Sequence, residues 1–363
     1  MLTSLLALLL QVAPAPAPAP APQSSPAPAK QWPTREGDHI VKAHRFTTGE
    51  TMDVRMHYTT LGQPHRNASG EIDNAVMVLH GTGGTGKQFL NPLFADELYG
   101  PGQPLDISRY WIILPDNIGH GASSKPSDGM RVAFPAYDYT DMVTLQHRLL
   151  TEALGVKRLR LTFGTSMGCM HIFVMGQMHP QFSRALMPMA CEPVPIAGLN
   201  RMWRQMAIDA IRADPTYLNG AYTTQPMQGL RAASSITIIA GGAPLALQKA
   251  YPTREAATAY ARERVARDMA SRDANDFIYQ LDASRTYDPW PRLETITAPV
   301  MWINSADDFI NPRGLPFPAQ AIKRMPNARF RMIPEDETTR GHGTHTAASF
   351  WKADLMELLK RTE

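Results

Sequence analysis

Continuous apolar runs recur along the chain, and each run ends in a glycine-rich or polar turn. Runs without polar alternation are typical of strands that are covered on both faces, as in a parallel sheet. They predict buried strands at residues 75–80 and 110–114, a mostly apolar run predicts another at 159–163, and we expect further strands at 185–190, 299–304 and 329–333. Two earlier segments flank a Thr48-Gly49 turn, and we expect residues 39–46 and 52–60 to pair there as strands.

Helical periodicity separates several of these runs. Residues 139–154 carry apolar side chains on one helical face, a helix-compatible run begins at Cys169, and a final amphipathic helix is expected at 348–359. The alternation predicts an α/β fold with a doubly wound, mostly parallel sheet. Residues 191–289 depart from it, and their pattern predicts helices at 196–213, 226–240 and 254–271.

The first 36 residues differ in composition from the rest of the chain. Residues 1–10 form an apolar run that is too short to cross a bilayer but typical of a signal-peptide core. We therefore predict a signal peptide at 1–12 and export to the periplasm or the medium. Residues 13–36 are rich in alanine and proline, which predicts an extended linker, and folded structure should begin near Gly37.

Composition excludes several classes of function. The formal net charge is +3 with no basic cluster, so nucleic acid is not an expected partner, and no stable membrane span is expected either. Two cysteines are too few for a disulfide framework or a cysteine-based zinc site. Cys169 and Cys191 can either form one disulfide in an oxidising compartment or remain buried thiols, and we expect free thiols.

The strand predicted at 159–163 leads into Gly164-Thr165-Ser166-Met167-Gly168, a G-x-S-x-G sequence. A strand, a sharp turn and a helix are the context of a nucleophile elbow, where the serine lies in a strained conformation at the apex. Glycine is needed two residues to either side because a Cβ there would collide with the neighbouring strand or helix. The pattern predicts Ser166 as a nucleophile, and the alternative is a chance match.

A glycine-rich loop, GTGGTGK, follows the strand predicted at 75–80. A phosphate-binding P-loop is one interpretation, but its G-x-x-x-x-G-K-[ST] spacing fails because Gln88 follows Lys87. We favour an oxyanion loop, in which backbone N–H groups near Thr82 and at Met167 bind the negative oxygen of a reacting carbonyl.

Two aspartates follow the strand predicted at 299–304. Asp308 lies four residues before Pro312, and this spacing favours Asp308 over Asp307 as the acid of a catalytic triad. The alternative role for either residue is to cap the loop.

Two histidines lie in the loop before the final helix. The Gly-His context and the distance to that helix favour His342 over His345 as the general base. A metal bound by this pair is disfavoured because no third ligand lies in an obvious place, and we expect no metal or cofactor. We expect His120, in an earlier loop, to be structural.

These motifs together resemble the α/β-hydrolase fold, and specifically its homoserine O-acetyltransferase branch. The resemblance covers the chain from about Val41 onward and is carried by Phe134-Pro135, Asp141-Met142-Val143 with Gln146, Ser166-Met167-Gly168 with Met170, and Asn304-Ser305-Ala306-Asp307-Asp308. It implies a core in two parts, 37–190 and 290–363, with 191–289 inserted as a helical lid over the active site. Within the lid we expect four methionines to pack rather than to line a pocket: Met202, Met206, Met227 and Met269.

Three functions fit these features, and the order Ser166, Asp308, His342 is the order of triad residues in elbow enzymes. The main hypothesis is an exported esterase that cleaves a small-molecule acyl ester through an acyl-enzyme. The alternative, implied by the resemblance, is an O-acyltransferase that moves an acetyl group from acetyl-CoA to homoserine. Predicted export favours the esterase because acetyl-CoA is cytosolic. A non-catalytic envelope protein is disfavoured because all three triad candidates are present in order.

Overall fold

Eight strands form one sheet within residues 30–363, the part of the chain that the computed structural model describes. The predicted signal peptide and most of the predicted linker lie outside this range. In chain order the strands are β1 (Arg35–Arg45), β2 (Thr51–Leu61), β3 (Ala75–Leu79), β4 (Trp111–Pro115), β5 (Leu161–Thr165), β6 (Leu186–Met189), β7 (Val300–Ser305) and β8 (Ala328–Ile333). Folded structure thus begins at Arg35, slightly before the expected Gly37.

The strands lie in the order β1-β2-β4-β3-β5-β6-β7-β8. The β1–β2 and β2–β4 pairs are antiparallel, and all other pairs are parallel. The chain moves from β3 to β4 on one side and then returns to β5 on the other side of β3. Loops after β3 and β5 therefore meet at the carboxyl edge of the sheet, which is where open α/β sheets bind their ligands.

Helices cover both faces of the sheet and fill the segment between β6 and β7. They are α1 (Pro92–Leu98), α2 (Tyr139–Arg148), α3 (Met167–Met178), α4 (Gly198–Arg212), α5 (Met227–Ala240), α6 (Pro244–Ala250), α7 (Arg254–Ala270), α8 (Ala274–Asp282), α9 (Phe317–Arg324) and α10 (Lys352–Arg361). In residues 30–363 no single helix has the length and apolar character to cross a membrane, although α5 and α6 pass that test as a pair bent by 104°.

Apolar side chains pack on each face of the sheet. On the α2–α3 face, Phe173 of α3 contacts Trp302 of β7, with their ring centroids 5.7 Å apart. On the opposite face, Phe94 of α1 lies 5.6 Å from both Phe163 of β5 and Trp351, which precedes α10. The central strands are buried along their whole length, which explains their uninterrupted apolar sequences.

The inserted segment has a small core of its own, built by α4, α5 and α8 around buried side chains such as Ile211, Leu230 and Phe277. Helices α6 and α8 were not expected from the sequence. Met269 is buried, as expected, whereas Met202, Met206 and Met227 do not pack in the core: they are about half exposed, at 57%, 55% and 49%, and line neither of the cavities at Ser166.

Cys169 and Cys191 form a disulfide, with their Cα atoms 5.9 Å apart. The expectation of two free thiols is therefore wrong. Cys169 lies in the first turn of α3 directly after β5, and Cys191 follows the neighbouring parallel strand β6. Because adjacent parallel strands end at the same edge, the two side chains meet there, and the bond ties α3 to the start of the inserted segment.

Candidate active site

Ser166 lies at the turn between β5 and α3 in a conformation that L-residues rarely adopt, with φ 55° and ψ −113°. The flanking glycines make this turn possible. A Cβ on Gly164 would lie 2.4 Å from the carbonyl oxygen of Gly168, and one on Gly168 would lie 2.2 Å from that of Leu79. The backbone N–H of Ser166 donates to Met189 of β6 at 2.8 Å, which fixes the turn to the sheet.

The structure brings the three predicted triad residues together. His342 Nε2 lies 2.8 Å from Ser166 Oγ, and His342 Nδ1 lies 2.8 Å from Asp308 Oδ2. An ionised carboxylate can only accept hydrogen bonds, so Nδ1 carries the proton and Nε2 is left to accept from the Ser166 hydroxyl. This tautomer is the one that a general base acting on Ser166 requires.

Asp308 is almost completely buried, at 2% exposure. Burial by itself raises the pKa of this carboxyl, but the charge and hydrogen bond of His342, together with hydrogen bonds from Asn311 and Ile310, hold the pKa below its ordinary value. Further support comes from the backbone N–H of Ile310 at 2.8 Å and the Asn311 side-chain amide at 2.9 Å. Asp307 instead accepts the backbone N–H of Gly341 at 2.7 Å, which anchors the loop that carries His342.

His345 does not reach Ser166 or Asp308 through a hydrogen bond. It is buried beside His342, with the ring centroids 5.2 Å apart in an edge-to-face arrangement. Burial, reinforced by the charge of His342, lowers the pKa of His345 to about 3. A neutral, buried imidazole that packs against His342 limits the orientations that the His342 ring can adopt.

The predicted oxyanion loop lies against Ser166. A Cβ on Gly81 would lie 3.2 Å from the Cβ of Ser166, and Thr82 lines a cavity that Ser166 also lines. Met167 begins α3, where backbone N–H groups have no partner inside the helix and the helix dipole is positive. Lys87 pairs with Glu36 at 2.7 Å instead of pointing to a phosphate site.

A buried polar network holds His80, the residue directly before the predicted oxyanion loop. His80 Nε2 accepts the backbone N–H of Asn117 at 3.0 Å, and the Gln146 side chain joins Asn117 to His171 at 2.5 and 2.9 Å. Burial lowers the pKa of His171 to about 3. His120 is also buried, with Nδ1 3.0 Å from the carbonyl of Ile118. These contacts place His120 in the scaffold.

Two cavities meet at Ser166 and His342 in the described part of the chain. The larger, here called the apolar cavity, has a volume of about 650 Å³ and is lined mainly by aliphatic and aromatic side chains. The smaller, here called the polar cavity, has a volume of about 260 Å³ and lies under the inserted helices. Its charged lining includes Arg264, Asp268 and Arg272.

Arg204 of α4 lines both cavities and is 2% exposed. Its Nε donates to Asn200 Oδ1 at 3.0 Å, and the guanidinium also interacts with the hydroxyl of Tyr139, whereas Nη1 has no hydrogen-bond partner among residues 30–363. Burial lowers the pKa of Arg204, yet a guanidinium keeps its charge in proteins. A buried cation with an open donor beside a nucleophile is suited to an anionic group on a substrate.

The class of this protein follows from fold and site together. Residues 74–337, well over half of the chain, match the family model of the α/β hydrolase fold, and the chain belongs to that family. It is an enzyme of the hydrolase or acyltransferase type, and it resembles the homoserine O-acetyltransferase branch.

Named relatives lie in that branch. A homoserine O-acetyltransferase from Moorella thermoacetica is 36% identical over 203 residues, which are 50% of this chain and only about half, 52%, of that protein. A homoserine O-succinyltransferase from Magnetococcus marinus is 29% identical over 280 residues, which are 67% of this chain and 70% of that protein.

Solved structures of both reaction types share the fold. A homoserine O-acetyltransferase from Bacillus anthracis superimposes with a TM-score of 0.80 at 21% identity and covers 92% of this chain and 99% of its own. An acetylester hydrolase from Corynebacterium glutamicum reaches a TM-score of 0.78 at 20% identity, with 90% and 96% coverage. At these identities the likeness shows the fold and leaves the reaction open.

Sequence reasoning missed three residues of the site: Arg204, Asn311 and Glu192. A signal for Arg204 was present, because it falls within the buried stripe of α4 that includes Ile208 and Ile211. An arginine in an otherwise apolar stripe indicates a buried charge with a function. Glu192, which lines the apolar cavity, gave no such signal, since its partner Asn304 comes from another strand. Asn311 lies in the same loop as its partner Asp308, and nothing in that local sequence set it apart from a loop residue.

Proposed function

We propose that this enzyme is a serine-dependent O-acyltransferase, which moves an acyl group through an acyl-enzyme on Ser166 to the hydroxyl of a small acceptor of the homoserine type. The observation that carries the proposal is Arg204, a buried cation in the cavity of the nucleophile. An acceptor with a carboxylate satisfies the open guanidinium nitrogen, whereas a simple neutral ester leaves it unpaired.

In the acylation step, His342 Nε2 takes the Ser166 proton as Oγ bonds to the carbonyl carbon of the donor. Backbone N–H groups at Thr82 and Met167 bind the oxyanion, and Asp308 stabilises the imidazolium that forms. As the intermediate collapses, the bond from the carbonyl carbon to the donor's leaving group breaks, and that group takes the proton from His342. The acyl group is now esterified to Ser166.

In the transfer step, the acceptor hydroxyl occupies the place of the departed group. His342 removes its proton while its oxygen bonds to the acyl carbon, and collapse of the second intermediate returns the proton to Ser166 Oγ. Water can replace the acceptor in the same step, and the product is then the free acid. Acceptor binding at Arg204 raises the local concentration of the hydroxyl and so favours transfer over hydrolysis.

The relatives favour transfer over the exported esterase that the sequence suggested first, since those reported above are named for acylation of homoserine. Export remains part of the proposal, and the Cys169–Cys191 disulfide supports it because such bonds persist in oxidising compartments. An exported transferase draws its acyl group from an ester rather than from cytosolic acetyl-CoA.

The test supplies purified enzyme with acetyl-CoA or p-nitrophenyl acetate as the donor and L-homoserine as the acceptor, and it measures O-acetylhomoserine by mass spectrometry. Product from p-nitrophenyl acetate supports the proposal, and product from acetyl-CoA alone supports transfer but contradicts an ester as the acyl source. Acetate as the sole product at saturating homoserine contradicts it and makes the enzyme an esterase.

A second acceptor, which lacks the carboxylate, serves as the control for a substitution of Arg204. The Arg204→Lys variant should raise KM for homoserine about tenfold or more, the equivalent of one charge-assisted hydrogen bond at about 1.5 kcal/mol. Transfer to 3-aminopropanol, which lacks the carboxylate, should respond to the same substitution far less. An equal effect on both acceptors would assign Arg204 to the scaffold.

A further inference from the structure

The apolar cavity is much larger than an acetyl group requires. An acetyl group has two carbon atoms. If each takes about 30 Å³, which is the volume of one water molecule in the liquid, the group needs about 60 Å³. The apolar cavity measures about 650 Å³ and opens directly at Ser166 and His342. Its walls come from the β6–α4 loop, the start of α4, the segment between β7 and α9 and the start of α9, including Val194, Ile196, Leu199, Phe309, Leu315 and Phe317.

Two arms extend from an acyl carbon that is bonded to Ser166. One arm is the acyl chain, and the other is the group that leaves or arrives beside His342. The two cavities that meet at these residues provide one space for each arm. A homoserine-type acceptor carries both a carboxylate and an ammonium group, and burial of charge among apolar side chains is costly. The acceptor therefore takes the polar cavity, whose lining holds Arg204 and an ion pair of Arg272 with Asp268, 2.6 Å between Nε and Oδ2.

We infer that the acyl group transferred by this enzyme is an apolar chain of medium length, of about six carbons or more, which lies in the apolar cavity. The inference rests on the proposed function, because it assigns the polar cavity to the acceptor. Leu199 and Phe309 on the cavity wall are 45% and 48% exposed, so an acyl chain would cover apolar surface that now faces water.

A series of p-nitrophenyl esters from acetyl to octanoyl tests the chain length, with p-nitrophenol release as a direct measure of acylation. Burial of one methylene corresponds to about fourfold in kcat/KM, or about 0.8 kcal/mol. With partial burial, kcat/KM for the hexanoyl ester should exceed that for the acetyl ester at least tenfold. An acetyl ester that reacts as fast or faster overturns the inference.

A pair of isomeric esters shows whether the long chain belongs on the acyl side or on the leaving-group side. Ethyl hexanoate and hexyl acetate have the same atoms and differ in which side of the ester carries the long chain. The inference predicts at least tenfold faster cleavage of ethyl hexanoate. Equal rates, or preference for hexyl acetate, would place the chain on the leaving-group side and overturn it.

Leu199→Trp narrows the apolar cavity, and Leu93→Trp is its matched control, because Leu93 on α1 has nearly the same exposure, 42% against 45%, and lies outside the cavity. We expect the hexanoyl-to-acetyl ratio of kcat/KM to fall at least fivefold in Leu199→Trp and to remain unchanged in Leu93→Trp. Because the ratio is measured on one preparation, the folded fraction cancels. An unchanged ratio in Leu199→Trp contradicts the inference.

The failure of this inference differs from failure of the proposed function. If no ester releases p-nitrophenol and Ser166 remains unmodified, the proposed acyl-enzyme is refuted, and the inference falls with it. If acylation is fast but fastest for acetyl, only the inference is refuted.

Discussion

Glu192 offers a quantitative test of how the site is buried. It follows the disulfide cysteine Cys191, is 8% exposed, and its Oε1 accepts the side-chain amide of Asn304 at 2.9 Å. Burial, with a smaller contribution from the charge of Asp308, raises the pKa of Glu192 to about 8. The folded protein therefore keeps this carboxyl protonated at neutral pH, whereas the unfolded chain releases the proton near its ordinary pKa.

The sign of the linkage follows from these two values. Below the ordinary pKa of 4.5 both states hold the proton, and the carboxyl has no pH-dependent effect on stability. Between 4.5 and about 8 only the folded state holds it, so stability is lost as the pH rises. At about 1.4 kcal/mol per pKa unit, the full loss is about 5 kcal/mol above pH 8.

Glu192→Gln removes the titration and keeps the shape and the hydrogen bond to Asn304. We expect the variant and the wild type to have similar free energies of unfolding near pH 4.5. Above pH 8 the variant should be more stable by about 5 kcal/mol, and by no less than about 2 kcal/mol. Urea unfolding followed from pH 4.5 to 9, with the disulfide intact, measures this difference.

An exposed glutamate provides the control for Glu192→Gln. Glu263→Gln, at a side chain with 68% exposure on α7, changes the same chemistry in solvent and should alter the free energy of unfolding by less than about 1 kcal/mol at every pH. A stability difference between Glu192→Gln and wild type that stays constant from pH 4.5 to 9 would refute the assignment of Glu192 as a buried, protonated carboxyl.

Three further variants test the scaffold of the site. Gly168→Ala places a Cβ 2.2 Å from the Leu79 carbonyl oxygen, so we expect a loss of about 3 kcal/mol or more in urea unfolding, and wild-type stability would contradict the geometry of the turn. Asp307→Asn weakens the anchor of the histidine loop and should cost about 1–2 kcal/mol, with a near-zero cost excluding that role. Replacing both Cys169 and Cys191 by alanine should cost about 3 kcal/mol, which differential scanning calorimetry can check against the wild type.

Most of the sheet could be predicted because its strands carry their own signal. The central strands are buried on both faces, so β3 and β4 are uninterrupted apolar runs and β7 is apolar up to its carboxyl end, and the observed bounds differ from expectation by about one or two residues. Helices α1 and α6 were not predicted because each has only seven residues, too few to show helical periodicity. Each also begins with a proline, which is equally typical of a turn.

The residues of the candidate site could also be predicted only where a local sequence signal marks them. Ser166 could be found because the elbow is local, with every necessary residue inside five positions. Asp308 and His342 could be ranked above Asp307 and His345 from local spacing, and the structure brings the favoured pair together. Their roles stay predictions until they are measured. The disulfide could not be ranked correctly: Cys191 directly follows the strand predicted at 185–190, but the sequence does not show that this strand pairs with the elbow strand and brings the two sulfurs within bonding distance.

The most direct measurement of the central claim is the mass of the enzyme after a brief reaction with p-nitrophenyl hexanoate and an acid quench, followed by peptide mapping. The proposed mechanism predicts one hexanoyl group per chain, attached to the peptide that contains Ser166, and none on Ser166→Ala. Modification at another residue, or turnover of the ester by Ser166→Ala at the wild-type rate, would contradict it.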